Sequence, residues 1–124
     1  MNLTGLTWIA VDFLAVLGKL DKQCTLSEVC SKINKSQKYA EVVLAKLKKA
    51  GLVNSYRGVK GGYTLAKPIS EITITEVILA TEGEIFTVEQ DGTPRSLVRL
   101  AVVEAVKSRM DAMTLEKVIN GSRI

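Results

Sequence analysis

The sequence has no histidine and only two cysteines, Cys24 and Cys30, among 124 residues. An ordinary zinc site takes about four nitrogen or sulfur ligands, so this donor set does not supply one. Two cysteines do not make a disulfide framework either. The chain also lacks a nucleophile elbow, a phosphate-binding loop and a paired set of carboxylates in a cleft, so no enzyme is expected. Long hydrophobic runs are missing. The longest apolar stretch, Trp8 to Leu17, is interrupted by Asp12 and has neither a basic leader nor a small-residue cleavage site. It is read as neither a signal peptide nor a membrane span, which predicts a protein of the reducing cytoplasm with no membrane partner.

What is present is a hydrophobic fraction of 47%, enough for the core of one domain with a short extension. The net charge of +4 is unevenly spread. Residues 32 to 67 hold nine basic side chains and a single acid, Glu41; the rest of the chain holds eight basic and twelve acidic residues. A positive field concentrated in this way suits a polyanion such as a phosphate backbone, although a solvated basic surface fits the charge alone equally well.

Helical periodicity and capping signals divide the chain. A first helix is predicted from about Thr7 to Lys19, with Trp8, Ile9, Val11, Phe13, Leu14, Val16 and Leu17 as a broad core face. Thr25 followed three residues later by Glu28 is a capping box, opening a short helix over Leu26 to Ile33 that buries Leu26, Val29, Cys30 and Ile33. Ser36 is a suitable N-cap for a third helix, Gln37 to Ala50, with Ala40, Val43, Leu44 and Leu47 inward; Gly51 follows where helices end left-handed. Two short strands, Leu52 to Arg57 and Tyr63 to Ala66, flank a glycine-rich turn and make a hairpin with a mobile, basic tip. Gly58 to Gly62 is not a nucleotide loop, because a strand follows it. Thr73 and Glu76 repeat the capping signal before a helix over Ile74 to Ala80. Residues 82 to 93 read as a loop, and Pro94 starts a long helix reaching about Ala112.

Helix, short helix, turn, helix and hairpin in this order describe a winged helix-turn-helix: a mainly α fold with a small β-hairpin wing, spanning residues 1–83. Residues 84–124 then form a loop and a long helix. In such a fold the N-terminal residues of the second helix of the pair face the base edges. Here they are Ser36, Gln37, Lys38, Tyr39 and Glu41. Gln37 can pair with adenine and Glu41 can accept from the cytosine amino group, while Lys38 and the Tyr39 hydroxyl suit phosphates. Tyr39 as a partly buried anchor competes with that role. Lys46, Lys48 and Lys49 are read as a solvated helix face. In the wing, Arg57 precedes the glycine turn and Lys60 stands at its tip; an arginine there can enter a narrow minor groove.

The long helix is too apolar for one buried side. Leu100, Val103, Met110 and Met113 form one stripe; Val98, Val102, Ala105 and Val106 form another. A homodimer would cover the surplus, a monomer whose helix sinks deeper being the alternative. Val98, Leu100, Val102, Val103, Val106 and Met110 are the dimerisation candidates.

The run Leu44-Ala45-Lys46-Leu47-Lys48-Lys49-Ala50-Gly51-Leu52-Val53, with Ser55, Arg57-Gly58, Gly61-Gly62-Tyr63 and Leu65-Ala66, resembles the Rrf2 family of bacterial regulators. Ile72-Thr73, Glu76-Val77-Ile78, Ala80 and Glu82-Gly83 extend the likeness, as do Leu3-Thr4 and Thr114-Leu115 near the ends. The resemblance implies a homodimeric repressor or activator whose long C-terminal helix crosses to the partner subunit. It places the base-reading glutamate on Glu41 and the minor-groove arginine on Arg57. Many members hold an iron–sulfur cluster through three cysteines before the long helix. Residues 84 to 93 contain no cysteine, so no cofactor is expected. The wing also departs from the family's Gly-Pro-Gly-Gly-Gly-Tyr, reading Gly58-Val59-Lys60-Gly61-Gly62-Tyr63. Cys30 is expected in the core and Cys24 nearer the surface, where only Lys22 would favour a redox-active thiolate.

These readings converge on a sequence-specific regulator of transcription that binds double-stranded DNA and answers to a small molecule or protein effector. The alternative is a winged-helix adaptor that has lost DNA binding.

Overall fold

The computed structural model describes residues 3–121. Helix α1 (Gly5–Leu20) begins two residues earlier than the apolar pattern predicts, because the Thr4 hydroxyl accepts from the Leu6 N–H at 3.2 Å and caps it there. Ala10, Phe13, Leu14 and Leu17 are buried along one line of the helix. Trp8, expected in the core, is 57% exposed. At about 100° per residue it stands nearly opposite that line, so the broad apolar face is only half covered.

Helix α2 (Leu26–Ile33) opens on the predicted capping box, with Thr25 and Glu28 satisfying each other's backbone donors at 3.1 and 3.3 Å. Val29 and Cys30 are buried, whereas Leu26 and Ile33 lie at the edges and are half-buried. Asn34, left-handed at φ 53°, turns the chain into helix α3 (Gln37–Lys49). The inward residues of α3 are the predicted Ala40, Val43, Leu44 and Leu47.

Strands β1 (Val53–Tyr56) and β2 (Gly62–Leu65) pair antiparallel, Val53 opposite Leu65 and Tyr56 opposite Gly62. The body holds this wing at three points. Cys24 and Tyr63 exchange backbone hydrogen bonds at 3.0 and 2.8 Å. The Phe13 and Tyr63 rings meet edge to face, 6.0 Å apart. The Gln23 side-chain amide donates to the Lys60 carbonyl, so the expected mobile tip is tethered beside its charge.

After a 3-10 turn at Ile69–Glu71, helix α4 (Ile74–Glu82) carries the Thr73/Glu76 capping box, and Lys67 reaches Glu76 at 2.5 Å. Helix α5 (Pro94–Asp111) starts at Thr93, whose hydroxyl accepts from the Ser96 N–H. A last helix that the sequence pattern does not predict, α6 (Leu115–Ile119), follows. Five residues are too few for periodicity to register. It is placed by tertiary contacts: Leu115 donates to the Ile72 carbonyl at 2.8 Å, Ile74 donates to that of Met113 at 2.9 Å, and the Leu115 side chain is fully buried in the first core. Gly18 leaves room for it, since a Cβ there would lie 2.5 Å from Ile119 Cδ1.

Two cores result. The larger joins α1, α2, α3, β1 and Leu115; the smaller gathers Ile74, Ile78 and Phe86 with Val103, Val106, Met110 and Met113 against them. Among the described residues no helix is long and apolar enough to cross a membrane.

Candidate nucleic-acid interface

The buried line of α3 fixes which residues face away from the body. With Ala40, Val43, Leu44 and Leu47 inward, about 100° per residue puts Lys38, Val42, Ala45 and Lys49 on the outermost line, Glu41 and Lys48 beside it. Ser36, Gln37, Lys38, Tyr39 and Glu41 are all exposed. Tyr39 is 59% exposed, more than a buried anchor would be. Ser36 occupies the N-cap position in extended conformation, yet its side chain makes no capping bond. Its hydroxyl therefore leaves the first-turn N–H groups uncapped at the positive end of a 13-residue helix, an end that favours anions.

The wing lies alongside. A groove of about 270 Å³ between α3 and the hairpin is lined by Glu41, Leu44, Ala45, Lys48, Ser55, Tyr56, Arg57 and Tyr63. It brings Glu41 and Arg57, predicted to read different grooves, onto one continuous surface. Lys60 and Val59 are exposed at the tip, where the Gly61 N–H donates to the Gly58 carbonyl at 2.9 Å and closes the turn. Three ion pairs are formed among the described residues: Lys22–Glu28, Lys67–Glu76 and Lys107–Asp111. None uses Lys38, Lys48, Lys49, Arg57 or Lys60, so these five cations are held in no ion pair within the described residues.

A polar node that the sequence pattern does not predict lies between α1 and α4. The Glu82 carboxylate, at the end of α4, accepts from the Thr4 N–H at 3.1 Å, from the Thr4 hydroxyl at 2.7 Å and from the Thr7 hydroxyl. Thr7 is also bonded to Thr81 at 2.8 Å. Desolvation alone would raise the Glu82 pKa, but these bonds from Thr7 and Thr4, with the charge of Lys46, outweigh it and hold the carboxyl below its ordinary range. The node joins the start of α1 to the end of α4. The only sequence signal was Thr4 and Thr7 spaced one turn apart, which reveals nothing about a partner some 75 residues away.

The six dimerisation candidates divide between two sides of α5. Val103, Val106 and Met110 pack against the second core, and Leu100 is half-buried. Val98 and Val102 are 63% and 56% exposed. Leu97, not singled out in the sequence, is 60% exposed, and with Ala101 and Ala105 completes an apolar line opposite the packed side.

Cys24 is not near the surface, as expected from sequence, but fully buried. The backbone pairing with Tyr63 draws it under the wing. Burial first and Glu28 second push its thiol pKa up, more than Lys22 and Lys32 lower it. Burial raises the Cys30 thiol likewise. Neither cysteine has the depressed pKa and access of a redox-sensing thiol.

The sequence profile of the Rrf2 family, described as "Iron-dependent Transcriptional regulator", matches residues 3–121. The HTH-type transcriptional regulator CymR of Bacillus subtilis is 36% identical over 95 residues, covering 74% of this chain and 69% of that protein. NsrR of Geobacillus kaustophilus is 30% identical over 128 residues, covering 93% and 87%. Several further relatives are matched over half of their own length or less. The solved structure of CymR, titled the global cysteine regulator of B. subtilis, superposes with a TM-score of 0.87 over 99% of both chains at 28% identity.

The iron in the family description finds no suitable donor set here. The chain offers two thiols and no imidazole, both thiols are buried in the first core, and residues 84–93 hold none. Two of the acids around that loop are engaged locally: Glu84 accepts from the Phe86 N–H, and Asp91 from Thr93. These residues do not fit an iron–sulfur cluster. With a winged helix-turn-helix fold and a profile match over residues 3–121, the chain belongs to the Rrf2 family of DNA-binding transcriptional regulators.

Proposed function

We propose that the protein is a cytoplasmic, homodimeric repressor that reads its operator with the start of α3 and the wing and is controlled by a signal other than an iron–sulfur cluster. It acts through binding alone, without catalysis. Residues 1–83 serve as the reading head. Gln37 and Glu41 meet base edges in the major groove, Ser36, Lys38 and Tyr39 contact phosphates, and Arg57 with Lys60 enters the adjoining minor groove. The observation that carries this reading is the single exposed surface joining Glu41 to Arg57 across the α3–wing groove, with no ion pair neutralising its cations. The exposed line of Leu97, Val98, Ala101, Val102 and Ala105 supports pairing of two copies through α5. Two heads so joined would address half-sites about 34 Å apart or a multiple of that distance. A metabolite or a partner protein supplies the signal.

Affinity for an operator selected from random duplexes, measured against salt, tests the reading. A surface making six or more phosphate contacts loses on the order of a thousandfold in affinity between roughly 50 and 200 mM salt. Absent or salt-indifferent binding would support the adaptor alternative instead.

A further inference from the structure

An exposed valine at the centre of a charged recognition surface calls for an explanation. Val42 is 47% exposed and stands on the outermost line of α3, one turn from Lys38 and two from Lys49, with Ala45 filling the space between. Glu41 is its chain neighbour. Apart from Ala45, the other residues on that line are lysines, and no side chain of the core clusters covers Val42. A lone exposed apolar residue is ordinary on a protein surface. Here its position decides: on a helix seated in the major groove, the line opposite the core is the part that reaches deepest. The apolar feature displayed at that depth is the C5-methyl group of thymine, which accepts contact from small aliphatic side chains and offers no hydrogen bond in return.

We propose that Val42, with Ala45 beside it, reads a thymine methyl in each half-site. The inference rests on the assignment of the α3 face as the groove-facing surface. It adds to it a thymine preference next to the base pair read by Glu41. Lys38 and Lys49, at the two ends of the line, would then hold the helix by phosphates while the short apolar pair approaches the floor of the groove. A branched valine suits this contact because its two methyls are fixed by one preferred rotamer in a helix and lose little freedom on docking.

The test uses the full-length protein and the duplex it selects from a random pool, with deoxyuridine replacing thymidine one position at a time. That replacement removes one methyl group and leaves the hydrogen-bonding pattern unchanged. Wild-type protein is expected to lose about fourfold in affinity at one thymine per half-site, the value of one buried methyl. Val42→Ala, at an exposed position, keeps the fold and the salt dependence but loses most of that penalty. A uracil penalty that persists unchanged in Val42→Ala, or none at any thymine of the half-site, overturns the proposal while leaving DNA binding intact. Failure of the wild-type protein to select any duplex would instead refute the underlying assignment of the surface, and this proposal with it.

Discussion

Adding one methyl group at Gly62 is expected to dislodge the wing. Gly62 sits at φ 149°, and a Cβ built there would lie 2.6 Å from the Cys24 carbonyl oxygen and 2.9 Å from its carbon. Both are backbone atoms, so no side-chain rotation relieves the contact. Gly62→Ala must therefore break the Cys24–Tyr63 pairing, two hydrogen bonds of about 1 kcal/mol each, or sustain a strained backbone costing about 1–3 kcal/mol. A loss of about 2 kcal/mol lowers the melting temperature of a domain of this size by on the order of 10 °C. Gly58 provides the control. Its φ of 93° also disfavours a side chain, but nothing lies within 4 Å of its Cβ position. Gly58→Ala should thus show only the conformational cost of a Cβ at positive φ, about 1 kcal/mol. Thermal unfolding followed by circular dichroism compares the two. Equal melting temperatures for both variants would show that the Gly62 contact does not hold the wing to the body.

Arg57→Ala should weaken operator binding about tenfold with no change in melting temperature, and an unaltered footprint would remove the wing from the interface. Glu41→Ala should relax selection at a single base pair, visible as a flattened position in sequences selected from a random pool. Val98→Asp combined with Val102→Asp should convert the protein to a folded monomer by analytical ultracentrifugation, because both positions are more than half exposed within the chain. Glu82→Gln should cost about 2 kcal/mol at neutral pH, the value of hydrogen bonds to a charged acceptor. The folded-state pKa of Glu82 is depressed, so its contribution is fully present above the ordinary carboxylate pKa of about 4.3 and fades as pH falls through the lower folded value. Denaturation of wild type and variant should accordingly converge in acid.

The elements that local chemistry specifies were legible in the sequence. Capping boxes at Thr25 and Thr73 gave the starts of α2 and α4, and the spacing of Ala40, Val43, Leu44 and Leu47 gave the buried side of α3. Contacts across the chain were not legible. The fate of Trp8 depended on whether a second layer covers that side of α1, and the burial of Cys24 on a pairing with Tyr63 that is nearly forty residues away. Helix α6 followed from the room above Gly18, and the Glu82 node from a meeting of α1 with α4. At the candidate site, the types and order of residues pointed to Glu41 and Arg57. Val42 lies outside the inward set of α3 in the sequence pattern too, but its apolar side chain offers no hydrogen bond to a base and so carries no signal of a reading role until its exposure is seen.

The same geometry bears on how specificity would be divided between the reading surface and α5. On the proposed reading, one head directs Gln37, Glu41, Val42 and Arg57 at bases, and each good contact discriminates by about 1–3 kcal/mol. Part of this is spent in ordering long, exposed side chains. Two heads held at a fixed separation double the number of bases read and make the second engagement intramolecular. The outer apolar line of α5 would then govern operator choice without touching DNA. A monomer made by substituting Val98 and Val102 should retain salt-dependent, non-specific binding, since each head keeps its cations, while its preference for operator over random sequence collapses. Retention of the full operator preference by that monomer would place all of the specificity in a single head and leave α5 with no part in it.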